Sequence, residues 1–278
     1  MTNTALQKED HMSNYVHGYD EVAKIRLEDQ ASALEILLHH DTRYPPNAHV
    51  LEVGCGVGSQ TAILLYNNPE TRFTAIDVSP DSIARARQRL TGNKQRLTIE
   101  EGNVHALGYP EGSFDHVFVC FVLEHLRRPE AALAELKRVL KPGGTLTVIE
   151  GDHGSVLMHP ANEAALAAVS AQCELQAQKG GDAMIGRRLY PLVTAAGFEQ
   201  VTVHPRQVYA DGANPQLADV FTRKTFTAMI QGIRDETVAK GVISAARFDE
   251  GIDALNTAAE ANGTFAYTFF KAIGFNSI

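Results

Sequence analysis

The sequence has no tryptophan, only three cysteines and no surplus of positive charge. Cys55, Cys120 and Cys173 are odd in number, far apart and without metal-ligand spacing, so neither a disulfide framework nor a zinc site is expected. A reducing, cytoplasmic setting fits. Lys and Arg number 25 against 33 Asp and Glu, giving a net charge of −8. Such a chain has little with which to displace counterions from a phosphate backbone, so nucleic acid is not an expected partner. No apolar run approaches the roughly 18 residues that a membrane span needs. The opening MTNTALQKEDHMSNY also lacks the apolar core of a secretory signal, so no membrane partner is expected.

What is there fits a globular protein. The chain has 278 residues, 44% of them hydrophobic, enough for one large domain or one domain with a cap. From Tyr19 to His40, apolar residues recur at helical spacing until Pro45 and Pro46 stop the pattern. Strands are then expected over 49–53, 71–77, 96–100, 114–120 and 145–150. Helices are expected between them: 59–66 after a glycine turn, from Ser79-Pro80 to about Thr91, and from Pro129 to Leu140. Lys141-Pro-Gly-Gly144 reads as the turn into the fifth strand. After Glu150 the rhythm changes to helices over 160–178 and 186–196, a strand over 199–209, a helical stretch over 214–262 broken at Gly232 and Gly241, and a last strand over 263–275.

Strands alternating with helices predict an α/β fold with a parallel sheet covered on both faces. The expected organisation is an N-terminal helical segment, 1–45, covering the active site, and one domain, 46–278, with 214–262 inserted as a helical cap. The amphipathic N-terminal helix and the late helices are the faces expected to pack against a second copy in a homo-oligomer.

The chemistry is carried by Glu52-Val-Gly-Cys-Gly-Val-Gly58. Glycines at 54, 56 and 58 allow positive φ and let a backbone approach a ligand closely. The helix starting there turns its free N–H groups toward that ligand. Asp77 closes the second strand, where a carboxylate can accept from both hydroxyls of a ribose. These features alone admit a dinucleotide or an adenosylmethionine. A dinucleotide site wants G-x-G-x-x-G, and the third glycine would fall at Ser59. The chain has G-x-G-x-G, preceded by an acid two residues earlier.

That order resembles motif I of the class I S-adenosylmethionine-dependent methyltransferases. Glu101-Gly-Asn-Val104, the stretch Phe114–Leu126 and Leu140-Lys-Pro-Gly-Gly-Thr-Leu146 resemble that family's later motifs, in order. The resemblance is close over about 48–150. It implies a Rossmann-like, doubly wound, mostly parallel seven-stranded sheet with an antiparallel C-terminal strand. It implies S-adenosyl-L-methionine as methyl donor, S-adenosyl-L-homocysteine as product and a small-molecule acceptor of the natural-product type. Glu52, Gly54, Cys55, Gly56 and Gln60 would line the methionine end, and Asp77 and Val78 the ribose. Gly102, Asn103 and Val104 would lie at the adenine, and Cys120 and Phe121 beneath the sulfonium. Asn103 departs from the pattern, where aspartate is common; an amide still offers a donor and an acceptor.

The acceptor is expected beyond the carboxyl ends of the fourth and fifth strands. His153, on the loop expected after strand five, is the first candidate for a base, with His159 a little later and Tyr19 from the N-terminal segment. Tyr15, Glu124, Arg187 and Tyr209 are candidates for holding the acceptor. Phe221, Phe226, Met229 and Phe248 are either a wall of an apolar pocket or plain core. Aromatic faces would also suit carbon methylation of a prenyl-type alkene through a carbocation. The strand-four motif of base amino methyltransferases is absent; Cys120-Phe-Val-Leu123 stands there. A nicotinamide oxidoreductase and a non-catalytic adenosylmethionine-binding protein remain as competing classes.

Overall fold

The computed structural model describes residues 34–277. Tyr15, Tyr19 and most of the expected first helix lie outside the described residues; its last part is helical over 34–39. Seven strands form one sheet: β1 (His49–Val53), β2 (Arg72–Asp77), β3 (Leu97–Glu101), β4 (Phe114–Cys120), β5 (Leu140–His159), β6 (Glu199–Asp211) and β7 (Thr264–Phe275). Their order is β3-β2-β1-β4-β5-β7-β6. Pairs among β1 to β5 are parallel, and β7 runs antiparallel to both β5 and β6. The sheet is therefore Rossmann-like and doubly wound, and its strand order reverses between β1 and β4.

Alternation along the strands sends side chains into two cores. Phe118 and Cys120 of β4 face Leu34, Leu38, Leu64, Leu65 and the later helices. Val117 and Val119 face the other way, onto Ala132, Leu133, Leu136, Leu189 and Val193. The first layer holds α1 (Ser59–Asn67), α2 (Pro80–Arg89) and α4 (Glu163–Gln178); the second holds α3 (Pro129–Val139) and α5 (Leu189–Ala195). Local chemistry sets the helix starts. Ser79 accepts from the Ser82 amide with Pro80 in the first turn, and Asn162 accepts from the amides of Ala164 and Ala165.

The late helical block also forms: α6 (215–231), α7 (Arg234–Ala239) and α8 (Ala245–Ala258), with breaks at Gly232 and Gly241. The middle of α6, Ala218–Thr227, is π-helical. Gly251 lets α8 lie against α4, since a Cβ there would meet the Ala164 carbonyl oxygen at 2.4 Å.

One expectation is corrected. Strand five does not end at Glu150 but continues to His159. Asp-His-Gly-Ser, 152–155, reads as a loop because it is polar and contains glycine. β7 supplies the missing cause, pairing from Thr145↔Phe275 to His159↔Thr264 with a register shift between Asp152 and Leu157. Lys141-Pro-Gly-Gly144 is likewise part of the extended chain. Gly143 has φ +77, and a Cβ on Gly144 would meet the Asp115 carbonyl oxygen at 2.6 Å.

Helix 34–39 is tied to the sheet by ions. The Lys271 ammonium, on a side chain only 1% exposed, donates to Asp41 Oδ1 at 2.6 Å and to Thr42 Oγ1 at 2.7 Å. Arg206 of β6 pairs with the same aspartate.

Candidate active site

The glycine turn sits at the carboxyl end of β1, beside the switch point of the sheet. Gly54, Gly56 and Gly58 have φ of +74, +53 and +82. The amides of Gly54 and Cys55 donate to the Ile76 carbonyl at 2.8 and 3.0 Å, pinning the turn to the end of β2. Gly54 also meets a steric demand, because a Cβ there would stand 2.3 Å from Val122 Cγ2. At Gly56 an added Cβ would meet nothing within 4 Å, so the turn presents bare backbone to open space. No side chain caps the start of α1, whose N-cap is Gly58.

Asp77 completes this cradle. Its Oδ2 accepts from the Gly56 amide at 2.8 Å and its Oδ1 from the Ser79 amide at 2.9 Å. Both oxygens are thereby fixed. Val78 is half-buried next to it. Along the same rim lie Gly102, half-buried Asn103 and buried Val104. Asn103 Oδ1 accepts from the His105 amide at 2.9 Å, which fixes the amide plane. Gly102 is closely packed: a Cβ would meet Ile76 at 3.1 Å.

Glu52 is 1% exposed, its Oε2 has no hydrogen-bond partner, and the buried Gln60 Oε1 has none either. Burial pushes the Glu52 carboxyl up to about 8. Gln60 Oε1, the open turn at Gly56 and the fixed carboxylate of Asp77 fit a cationic, ammonium- and sulfonium-bearing ligand, whose charge would favour the ionised form of Glu52. Burial also raises the thiols of Cys55 and Cys120, so neither is a thiolate at neutral pH.

The Glu52 shift has a stability consequence. The folded chain keeps this proton up to about 8 while the unfolded chain loses it near 4.5, so unfolding releases a proton between those values. The contribution is fully present below about 4.5 and is lost as pH rises through about 8. Glu52→Gln is expected to flatten the fall in stability across that window, as read by urea denaturation at a series of pH values.

The far side of the site is built by the chain after β4. Phe121, a non-glycine residue, has φ +58, a left-handed conformation that costs about 1–2 kcal/mol. This kink turns the amides of Val122 and Leu123 onto Glu150 Oε1, at 3.0 and 2.7 Å. Glu150 is fully buried on β5, and sequence reasoning did not single it out. A charged residue inside a buried strand, Thr-Val-Ile-Glu-Gly, was the available signal. Glu124, in the 3-10 turn Leu123–His125, is also buried, and its carboxylate accepts from Gln176 Nε2 at 3.2 Å.

His153 is not on a loop but inside β5, 5% exposed. Its Nδ1 lies 3.0 Å from the Ala183 carbonyl oxygen and 3.2 Å from the Tyr267 hydroxyl, and its Nε2 is buried without a partner. Burial lowers its basicity. His159 is exposed at the far end of β5, opposite Thr264, whereas Ile149 at the sulfonium end lies opposite Lys271. At about 3.3 Å per residue those seven steps of β7 separate it by roughly 23 Å, so the structure does not bring His159 to the site. Tyr209 is 57% exposed on the edge strand β6.

Arg187 is already engaged: Nε and Nη2 bind Oδ2 and Oδ1 of buried Asp152, both at 2.8 Å. Arg187→Met is expected to destabilise the fold by about 2 kcal/mol, below the usual buried-pair range because half the arginine faces water. Urea denaturation measures it. Phe221, Phe226 and Phe248 are buried core; the first two pack with the rings of Phe265 and Tyr267. Met229 is half-buried against them.

Residues 51–148 match the family described as methyltransferase domain. By this match the segment is similar to a methyltransferase domain. The chain is 36% identical over 104 residues to the ubiquinone/menaquinone biosynthesis C-methyltransferase UbiE of Paracoccus denitrificans, covering 37% of this chain and 42% of that one. An uncharacterised 37.1 kDa transposon protein of Streptomyces fradiae is 35% identical over 162 residues, covering 58% of this chain and 46% of its own. The chain thus spans less than half the length of these curated relatives. Among solved structures, a putative methyltransferase of Bacillus halodurans superposes with a TM-score of 0.54 at 17% identity, covering 89% of this chain and 98% of that one. A Haemonchus contortus phosphoethanolamine N-methyltransferase, solved with S-adenosylhomocysteine, gives 0.57 at 16% identity, covering 90% and 53%. These two likenesses establish the fold. Among the described residues, no helix is long and apolar enough to cross a membrane.

Proposed function

We propose that the protein transfers a methyl group from S-adenosylmethionine to a small organic acceptor. The observation that carries this is the cradle of Gly54, Gly56 and Asp77, with bare backbone at Gly56 and a carboxylate fixed by the Gly56 and Ser79 amides. When bound, S-adenosylmethionine supplies a methyl group activated by its positive sulfur. The protein's work is then to orient the acceptor in line with that methyl and to exclude water. Glu52 and Gln60 hold the methionine end, Asp77 and Val78 the ribose, and Gly102, Asn103 and Val104 the adenine. Cys120 and Phe121 floor the reacting centre. Nε2 of His153 would take the proton of an acceptor hydroxyl or amine.

The N-terminal segment 1–45 and the helical block 214–262 cover the site in this reading. Carbon methylation of a prenyl-type alkene is less well supported, because the block's Phe221 and Phe226 are spent on core packing. The UbiE relative is named a C-methyltransferase of ubiquinone/menaquinone biosynthesis, so carbon methylation of a quinone-type acceptor is the second reading. Calorimetry with S-adenosylmethionine and with NAD tests the cofactor. Tight binding of the first is expected; binding of NAD alone would overturn the proposal. Release of S-adenosylhomocysteine with a hydroxyl and amine panel tests turnover, and binding without any release would leave a non-catalytic protein.

A further inference from the structure

The ladder between β5 and β7 is broken just past Asp152. The register shifts between Asp152 and Leu157, and Ser155 fills the gap: its Oγ donates to the Asp152 carbonyl oxygen at 2.6 Å and accepts from the Thr268 amide at 2.9 Å. A break of this kind re-aims the side chains beside it. Here it turns His153 onto Tyr267, the buried neighbour of Thr268. The His153 ring is held on three sides. Its Nδ1 lies 3.0 Å from the Ala183 carbonyl oxygen and 3.2 Å from the Tyr267 hydroxyl. The Phe226 ring stacks on it at 5.9 Å and 29°, and the Tyr267 ring meets it edge-on at 5.5 Å and 83°. Of its two ring nitrogens, Nε2 alone has no hydrogen-bond partner among the described residues.

These contacts assign the hydrogen. The Ala183 carbonyl can only accept, so Nδ1 carries the hydrogen and the Tyr267 oxygen is its second acceptor. Nε2 of the neutral ring is then the basic nitrogen. Burial keeps the Tyr267 phenol protonated, so the second acceptor is neutral and steadies the ring without taking its proton. When Nε2 gains a proton, Nδ1–H already faces two oxygens. This is a base oriented by a third group. Gly151 belongs to the same construction: a Cβ there would overlap the Tyr267 hydroxyl, so the glycine leaves room for it. Ring contacts link Tyr267 to Phe121. Tyr267 meets Phe269 at 4.8 Å, and Phe269 meets Phe121 at 5.3 Å.

We propose that Tyr267 is the positioning residue for His153, holding its ring in the Nδ1–H form with Nε2 as the base, and that Gly151 provides the space in which the Tyr267 hydroxyl does so. The role rests on the reading in which His153 takes the acceptor's proton. Tyr267 acts through the imidazole.

The test is nuclear magnetic resonance of the full chain with heavy nitrogen in its histidine rings; His153→Gln identifies the His153 signals. The native ring is expected as Nδ1–H with a bare Nε2. Tyr267→Phe keeps the ring packing and removes the hydroxyl. It is expected to move the His153 Nδ1–H signal and to speed exchange of that hydrogen with water about tenfold. It is also expected to lower kcat about tenfold, with KM for S-adenosylmethionine unchanged, on a hydroxyl or amine acceptor that the native chain methylates. Gly151→Ala displaces the hydroxyl, so the same effects are expected, and it serves if the phenylalanine variant fails to fold. In the Tyr267→Phe chain the alanine has no hydroxyl to displace, so the double variant is expected to match Tyr267→Phe. A packing role alone would change stability and leave the His153 signals and kcat as they are. The proposal is overturned if the native ring carries its hydrogen on Nε2, or if a folded variant leaves the Nδ1–H signal or kcat unchanged. A native chain that methylates no acceptor would instead remove the reading of His153 as a base, and the positioning role with it.

Discussion

Gly54→Ala is expected to lower stability by about 3 kcal/mol and to weaken S-adenosylmethionine binding at least about tenfold. Two separable effects add. At φ +74 an alanine sits in the left-handed region, at a cost of about 1–2 kcal/mol. Its Cβ would also lie 2.3 Å from Val122 Cγ2, so either the turn or the chain after β4 must move. Movement on one side shifts the Gly54 and Cys55 amides off the Ile76 carbonyl; movement on the other shifts the Val122 amide off Glu150. The double variant Gly54→Ala, Val122→Ala separates the effects. It removes the clash and keeps the backbone cost, so it should recover about half of the lost stability. Urea denaturation of the three proteins measures this; a double variant no more stable than the single one would mean that the backbone, not the contact, explains the glycine.

This coupling also shows what a single sequence reveals. The glycine turn, Asp77 and the order of the β1 to β4 elements are legible because each depends on local chemistry: positive φ, a strand-end acid, capping by Ser79. The reach of β5 past Glu150 is not legible. Asp152-His-Gly-Ser155 is extended only because β7, more than a hundred residues later, pairs with the strand on either side of it. The error carried His153 from a loop to the interior and left His159 far from the chemistry. Glu150 was missed for a related reason. Its partners are the Val122 and Leu123 amides, aimed at it by a left-handed Phe121 that no local rule predicts. From the sequence Arg187 is a candidate for holding the acceptor, and only the tertiary structure shows Asp152 already in its grip.

Asp77→Asn is expected to weaken S-adenosylmethionine binding by about a hundredfold and to cost about 1 kcal/mol of stability, the low end for a backbone donor left without its acceptor. The carboxylate has two tasks. It accepts from the Gly56 and Ser79 amides, which shapes the turn, and under the proposed function it would also accept from the ribose hydroxyls of the donor. An asparagine has one oxygen and one NH2, so only one of the two backbone donors keeps an acceptor. The other faces an NH2 group, and the Gly56 and Ser79 amides cannot both be served without rotating the side chain. On the ligand side, a charge-assisted hydrogen bond contributes about 1.5–3 kcal/mol, and the amide nitrogen cannot accept from a hydroxyl. Loss of one such bond together with a loosened turn amounts to about 3 kcal/mol, a factor of about one hundred in Kd. Asp77→Glu provides the contrast. It restores both acceptors on a longer arm, so it should bind more tightly than the asparagine variant but below the native chain. Calorimetric titration of the three proteins with S-adenosylmethionine ranks them; an asparagine variant that binds as well as the native chain would show that Asp77 shapes the turn and does not touch the ribose.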